Sequence, residues 1–204
     1  MSGSTASAVD VFNNTISGIS SYGTYVDGSV GIESGSSTAN VNVYSNKISN
    51  VKNLNTGGYG AAGIFLGSSS ATASTSLYNN MIWDVAAYGY VSAVGDNGHG
   101  LYVGSGAGYK IYFNSINMTT NQTIGVGSAF YVDGAITNAG ALDVRNNIFA
   151  NNQTANTRYS FYSGAAKTVY GNINNNDYYS TGILAYLGAA RTTLAALQAT
   201  TGTG

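Results

Sequence analysis

The 204 residues carry Lys+Arg 7 against Asp+Glu 8, a net charge of -1, which excludes a protein that grips nucleic acid through its phosphates. Charged residues are only 7% of the chain and hydrophobic ones 44%, so the high charge and low hydrophobicity of disordered chains are absent. Pro 0, Cys 0 and His 1 remove collagen-like and disulfide-scaffold classes, thiolate chemistry and any multi-histidine metal site.

The start, MSGSTASAVD, has neither a basic region nor an apolar run, and no stretch approaches the roughly 18 apolar residues of a membrane helix, so membrane insertion is not expected. The TTGTG ending fits a chain that is part of something longer. On that reading an export signal lies outside the segment.

Taken in chain order, one unit recurs. Val9 to Ile16 (VDVFNNTI), Val41 to Ile48 (VNVYSNKI), Thr75 to Ile82 (TSLYNNMI), Tyr109 to Ile116 (YKIYFNSI) and Leu142 to Phe149 (LDVRNNIF) align without gaps. Their shared asparagines, Asn14, Asn46, Asn80, Asn114 and Asn147, recur every 32 to 34 residues, and a degenerate sixth copy runs through Ile173, Asn176 and Tyr178. Apolar residues five and three before each Asn give strand alternation. The next apolar residue comes two after it, a step that strand periodicity cannot make. The chain must bend, and Asn enters the left-handed region at low cost, so these five asparagines are read as the bends.

A second strand precedes each copy: GIES (Gly31 to Ser34), GIFLG (Gly63 to Gly67), GLYVG (Gly100 to Gly104), AFYVDG (Ala129 to Gly134) and SFYSG (Ser160 to Gly164). Each repeat therefore runs strand, small-residue turn, strand, bend, short apolar segment, variable loop. Such strands bury their apolar rows only by stacking in parallel on the next repeat. The expected fold is all-β, a right-handed parallel β-helix of about six coils of roughly 29 to 34 residues, spanning 1–188. The asparagines should form a hydrogen-bonded ladder. The remaining 189–204 reads as a truncated coil or a capping helix, with Thr192 or Thr193 as N-cap and Gly202 as stop.

The NNxI bends, the Gly-bounded strands and the segment Asn175 to Gly202 resemble the right-handed parallel β-helix repeats, of pectate-lyase-like fold, in large surface proteins of Bacteroidetes secreted by the type IX route. The resemblance implies an extracellular or cell-surface location and, for the enzymes on such folds, polysaccharide lyase or glycosidase chemistry. It usually carries a Trp where Leu197 stands here.

Chemistry has few places to sit. Asp27 and Asp96 share a row about 10 Å apart with Tyr59 between them, while Asp10 and Asp143 share another row four coils apart. Asp133 falls on a glycine row and reads as a turn residue. Gly95 to Gly100 (GDNGHG) sets Asp96 and His99 three apart, a conceivable metal or acid/base pair outweighed by its reading as a turn leading into a strand. The sequons at Asn13, Asn117, Asn121 and Asn152 are ordinary in an Asn/Thr-rich chain. Calcium nonapeptides are absent, and no metal or cofactor is expected.

Two outward aromatic rows are more informative. One reads Phe12, Tyr44, Tyr78, Tyr112, Arg145, and the other Glu33, Phe65, Tyr102, Tyr131, Tyr162. Rings at one-coil spacing either stack on sugars or tie neighbouring strands together, and the second role is the more ordinary. The sequence thus reads as a non-catalytic structural or adhesive segment, with polysaccharide or neighbouring solenoid chains as partners. Two alternatives stand beside it: a lyase or hydrolase fragment whose acids lie in other coils, and a solenoid that stacks end to end into fibres.

Overall fold

In the computed structural model, residues 8–23, 28–36, 38–89, 93–122 and 124–202 are described. They form a parallel β-solenoid whose cross-section is a triangle of three sheets. The first sheet has six strands: Val9–Phe12, Val41–Tyr44, Thr75–Tyr78, Tyr109–Tyr112, Leu142–Arg145 and Tyr170–Asn174. The second also has six: Thr15–Ser21, Lys47–Asn53, Met81–Ala87, Ser115–Met118, Ile148–Asn151 and Asp177–Ser180. The third stacks Ser29–Ser34, Ala61–Gly67, Gly98–Ser105, Val126–Val132, Thr157–Ser163 and Ile183–Leu187, and Ala189–Arg191 closes it as an antiparallel seventh strand. The short apolar segment after each bend is thus a full strand with a sheet of its own.

Strand register puts like on like. Ile16, Ile48, Ile82, Ile116, Phe149 and Tyr178 form one row; Ile32, Ile64, Leu101, Phe130 and Phe161 form another. Most of these side chains are buried, and burial of such apolar surface is the main force holding the rod, on the order of 1.5 to 3 kcal/mol per large aliphatic or aromatic side chain. The glycines at the third position of the first three third-sheet strands have a steric cause. A Cβ at Gly31 would lie 2.6 Å from Ile48 Cγ2, and at Gly63 and Gly100 it would lie 2.3 Å from the same methyl of Ile82 and Ile116. Where the second sheet turns to Phe149 and Tyr178, which lack that β-branch, the row continues as Ala129 and Ser160.

The ladder is continuous. Asn14, Asn46, Asn80, Asn114 and Asn147 each donate from Nδ2 to the next layer's Asn Oδ1 at 2.9 to 3.0 Å, ending on Asn176. Each backbone N–H donates to that same oxygen. The second Nδ2 hydrogen goes back to the layer before, to Val11, Val43, Leu77, Ile111 and Val144 carbonyls. The ladder amides of Asn46, Asn80, Asn114 and Asn147 are thus satisfied, which is what lets these four side chains be buried.

The left-handed residue is not the ladder asparagine but the one before it: Asn13, Ser45, Asn79, Phe113, Asn146 and Asn175 have φ between 54° and 59°. The reason is geometric. A left-handed residue turns the chain so that the next side chain points inward, and its own side chain is left outside. In the doublet NN the first Asn makes the bend and the second makes the ladder.

The C-terminal α1, Leu194–Thr201, is a helix, not a frayed coil. Thr193 caps it by accepting from the Ala196 N–H at 3.2 Å, and Gly202 ends it at φ 73°. Its Leu197 is buried in the same core as Ile173 and Leu187.

Phe113 holds the bend position at φ 56° with its ring exposed, where a bulky residue is strained and Asn is tolerated. Phe113→Asn is therefore expected to stabilise the rod by about 1 kcal/mol, seen as a higher urea midpoint at unchanged slope; a lower midpoint would show that the exposed ring makes contacts worth more than the strain.

Candidate functional site

The two aromatic rows have different fates. On the first sheet the rings lie on one another: Phe12 and Tyr44 are 5.0 Å apart and 4° from parallel, Tyr44 and Tyr78 4.8 Å and 3°. Tyr112 faces the Arg145 guanidinium at 4.9 Å, and its hydroxyl donates to Asp143, which also takes the Arg145 fork. Faces used this way leave mainly edges to solvent, and a sugar stacks on a face. This row ties strands together.

The other row is interrupted. Tyr131 is 5% exposed, so it offers no surface, which corrects its expected outward role. The 3-10 turn Val94–Asp96 and the start of the following strand account for part of this. His99 stacks on Tyr131 at 4.4 Å and 17°, and its Nε2 lies 2.8 Å from the Val94 carbonyl and its Nδ1 2.7 Å from Ser128 Oγ. A carbonyl only accepts, so Nε2 carries the proton and Nδ1 accepts from the serine. Tyr102 and Tyr131 both donate to Asp133 Oδ2, at 3.2 and 3.1 Å, while Asp133 Oδ1 takes the Ala135 N–H. Asp133 is therefore a turn residue and also the hub of a tyrosine pair. Burial, and the Asp133 charge after it, raise both phenol pKa values. Further on, Tyr162 and Tyr186 stack at 4.6 Å.

His99 is fully buried, and desolvation holds its pKa down to about 4, against weaker upward pulls from the Val94 carbonyl and Asp133. It is a neutral pin between the 3-10 turn and the third sheet. Paired Asp96/His99 chemistry is thereby excluded for the imidazole, since both ring nitrogens are engaged inside.

Beside the interruption lies a groove of about 340 Å³, at the low end of the roughly 300–1,000 Å³ typical of ligand sites. Val30, Ala62 and Phe65 belong to its sheet floor; Glu33, Tyr59, Asp96, Asn97 and Tyr102 line it with the glycines Gly28, Gly60 and Gly95. The tip of the Phe65 ring sits over Gly67 and Gly104, where a Cβ would come within 2.5 and 2.6 Å of it, and Tyr102 meets it edge-on at 4.8 Å. Two glycines thus give the half-buried Phe65 ring its seat. Among the described residues that line the groove there is no Lys or Arg.

Asp27, expected in register with Asp96, lies outside the described residues. Asp10 and Asp143 sit in one row with Asn42, Ser76 and Lys110 between them, four layers or about 19 Å apart. Asp84 pairs with Lys52 at 3.1 Å and accepts from Thr120. Among the described residues no group of three or more His, Cys, Asp or Glu could hold a metal ion, and no helix is long and apolar enough to cross a membrane. The sequence reading did not bring Glu33 into one groove with Asp96. The signal was the longer run between the Met81–Ala87 and Gly98–Ser105 strands, which holds the 3-10 turn.

Comparison with protein-family models, with curated proteins and with solved structures finds no match. The solenoid therefore stands on its own geometry.

The shifted His99 makes a pH prediction. A histidine whose folded pKa is below its unfolded value binds more protons when unfolded, so stability is full above about 6.5 and falls as pH drops toward about 4. The melting temperature should decline through that window, and His99→Gln should flatten the decline. A wild type with constant melting temperature across it would mean the imidazole is protonated in the fold.

Proposed function

We propose that the chain is a rigid, non-catalytic β-solenoid segment of a bacterial surface or extracellular protein, adhesive toward polysaccharide through its third sheet. The observation that carries the reading is the groove beside Phe65, where an aromatic ring, polar side chains and exposed backbone line a concave surface of ligand size. The residue pattern that resembles secreted β-helix repeats supports the location. A solenoid suits the role because every layer braces the next.

The hydrolase reading draws less support. Glu33 lies on the Ser29–Ser34 strand and Asp96 in the 3-10 turn before the Gly98–Ser105 strand, so no shared strand register holds the two as an acid pair. Asp84, Asp133 and Asp143 are tied to Lys52, to two tyrosines and to Arg145. End-to-end fibres are disfavoured by α1, which buries Leu197 against the last coil and so occupies the face on which a second copy would stack.

Affinity electrophoresis in gels containing neutral, acidic or amino glycans tests the reading. The wild type should be retarded by at least one class without product release, Phe65→Ala should lose the retardation, and the Tyr44→Ser/Tyr78→Ser double variant should keep it while melting lower. Retardation that survives Phe65→Ala and disappears with the first-sheet pair would move the adhesive face to the other side of the rod.

A further inference from the structure

The core of the rod is closed at one end only. In the first layer the strands Val9–Phe12, Thr15–Ser21 and Ser29–Ser34 each stand at the edge of their sheet, so among the described residues their backbone N–H and C=O groups pair on one side alone. The side chains of this layer are open as well. Asn14 is exposed where Asn46, Asn80, Asn114 and Asn147 are buried, and no described residue donates to its Oδ1 or accepts its second Nδ2 hydrogen. Ile19 is 36% exposed, while Val51 and Val85, which follow it in register, are fully buried. Val9, Val11 and Ile16 are only partly buried, against the fully buried Val41, Val43 and Ile48 of the next layer. At the other end Leu197 of α1 covers the core, and Ala189–Arg191 pairs with the last third-sheet strand.

We propose that this open face binds the same face of a second copy, head to head, as a closed twofold dimer. The groups on offer are self-complementary: Asn14 presents an acceptor and a donor together, which its counterpart meets reciprocally, and an edge strand presents N–H and C=O in alternation. The inward residues of the layer, Val9, Val11, Asn14, Ile16, Ile19 and Ile32, are all uncharged. A charged partner finds no match there, and apolar burial drives the contact as it does between the layers of one rod. Head-to-tail stacking is blocked, because α1 lies over the opposite face. Association therefore stops at two copies.

The triangular section sets the axis. The ladder corner lies between the first and second sheets, opposite the third, so a twofold through Asn14 leaves through the third sheet. First-sheet strands then lie over the copy's second-sheet strands, Ser29–Ser34 lies over its own copy, and all these pairs run antiparallel. Glu33, next to the end of its strand, meets the start of the other, so the two carboxylates stand apart. Val30 and Glu33 of the first layer belong to the groove beside Phe65, so the two grooves adjoin across the axis and one polymer can reach both. The dimer itself does not depend on the glycan reading.

Sedimentation velocity of the intact chain over a concentration series, with backbone hydrogen exchange at both ends of the rod, tests the proposal. A monomer–dimer equilibrium with a dissociation constant at or below about 10 µM is expected, with no larger species. Amides of Val9–Phe12 and Thr15–Ser21 should gain protection as the dimer fills, and those of Asp177–Ser180 should not. Ile19→Lys, which sets an unpaired charge on each side of the contact, should raise the dissociation constant at least about tenfold. Leu194→Lys, at an exposed position of α1, should leave it unchanged. Should Ile19→Lys melt lower than the wild type, the concentration-dependent exchange of the wild type decides alone. A monomer at every concentration up to about 100 µM would overturn the proposal, as would fibres, a dimer without new first-layer protection, or one dissociated by Leu194→Lys and not by Ile19→Lys. Glycan retention is read separately and holds or fails on its own.

Discussion

The structure depends on one constraint: a solenoid with a chain bend in every layer must bury polar groups at that bend, and they must find partners along the axis. The asparagine ladder meets it. Each side chain accepts two hydrogens from the layer before and donates one forward and one back, so no amide is orphaned between the first and last layers. This gives the ladder a direction. It also fixes the register of the sheets, because a slip by one residue would take each amide out of line with the next Oδ1 and turn the buried apolar rows outward.

From that register the rest follows. The isoleucine of the second sheet sits two residues beyond the ladder asparagine and drives its γ-methyl at the third sheet, which answers with glycine at Gly31, Gly63 and Gly100. Later layers exchange the pair, aromatic for isoleucine and Ala129 or Ser160 for glycine, and their rings stack, Phe130 on Phe149 at 4.9 Å and on Phe161 at 5.4 Å. The core changes composition along the rod without changing its outline, as close packing demands.

Much of this was legible in the sequence because it repeats. Alternation before Asn80 or Asn147, and the odd step after, required strand, bend and strand, and the period required parallel stacking. The exact bend residue was not legible, since in NN either asparagine fits the left-handed region; only the inward side chain distinguishes them, and Ser45 and Phe113 show that the position tolerates other residues at a cost. The candidate site was less legible still. Outward alternation gave Phe65, Tyr102 and Tyr131 the same standing, but the Val94–Asp96 turn, an irregular insertion, lies over this part of the sheet while His99 packs on Tyr131, and the same turn walls a groove beside Phe65. Insertions obey no period, so their packing cannot be read from one. Buried polar residues at another corner escaped because they recur in some layers and not in others: Gln122, like Gln153 a layer on, is buried and accepts from the Gly98 N–H at 2.7 Å, and Asn151, like Asn53, donates to a backbone carbonyl, that of Tyr159, at 3.0 Å.

The most direct test of the ladder is hydrogen exchange at the backbone amide of Asn46 in an Asn80→Ala variant. That N–H donates to Asn80 Oδ1 at 3.1 Å in the buried core of the bend. The substitution leaves it without an acceptor, a loss on the order of 1 to 3 kcal/mol. The account predicts that the Asn46 amide loses protection more than the strand amides around it, together with a matching fall in global stability. Unchanged protection at Asn46 and an unchanged unfolding midpoint would contradict the ladder and the register built on it.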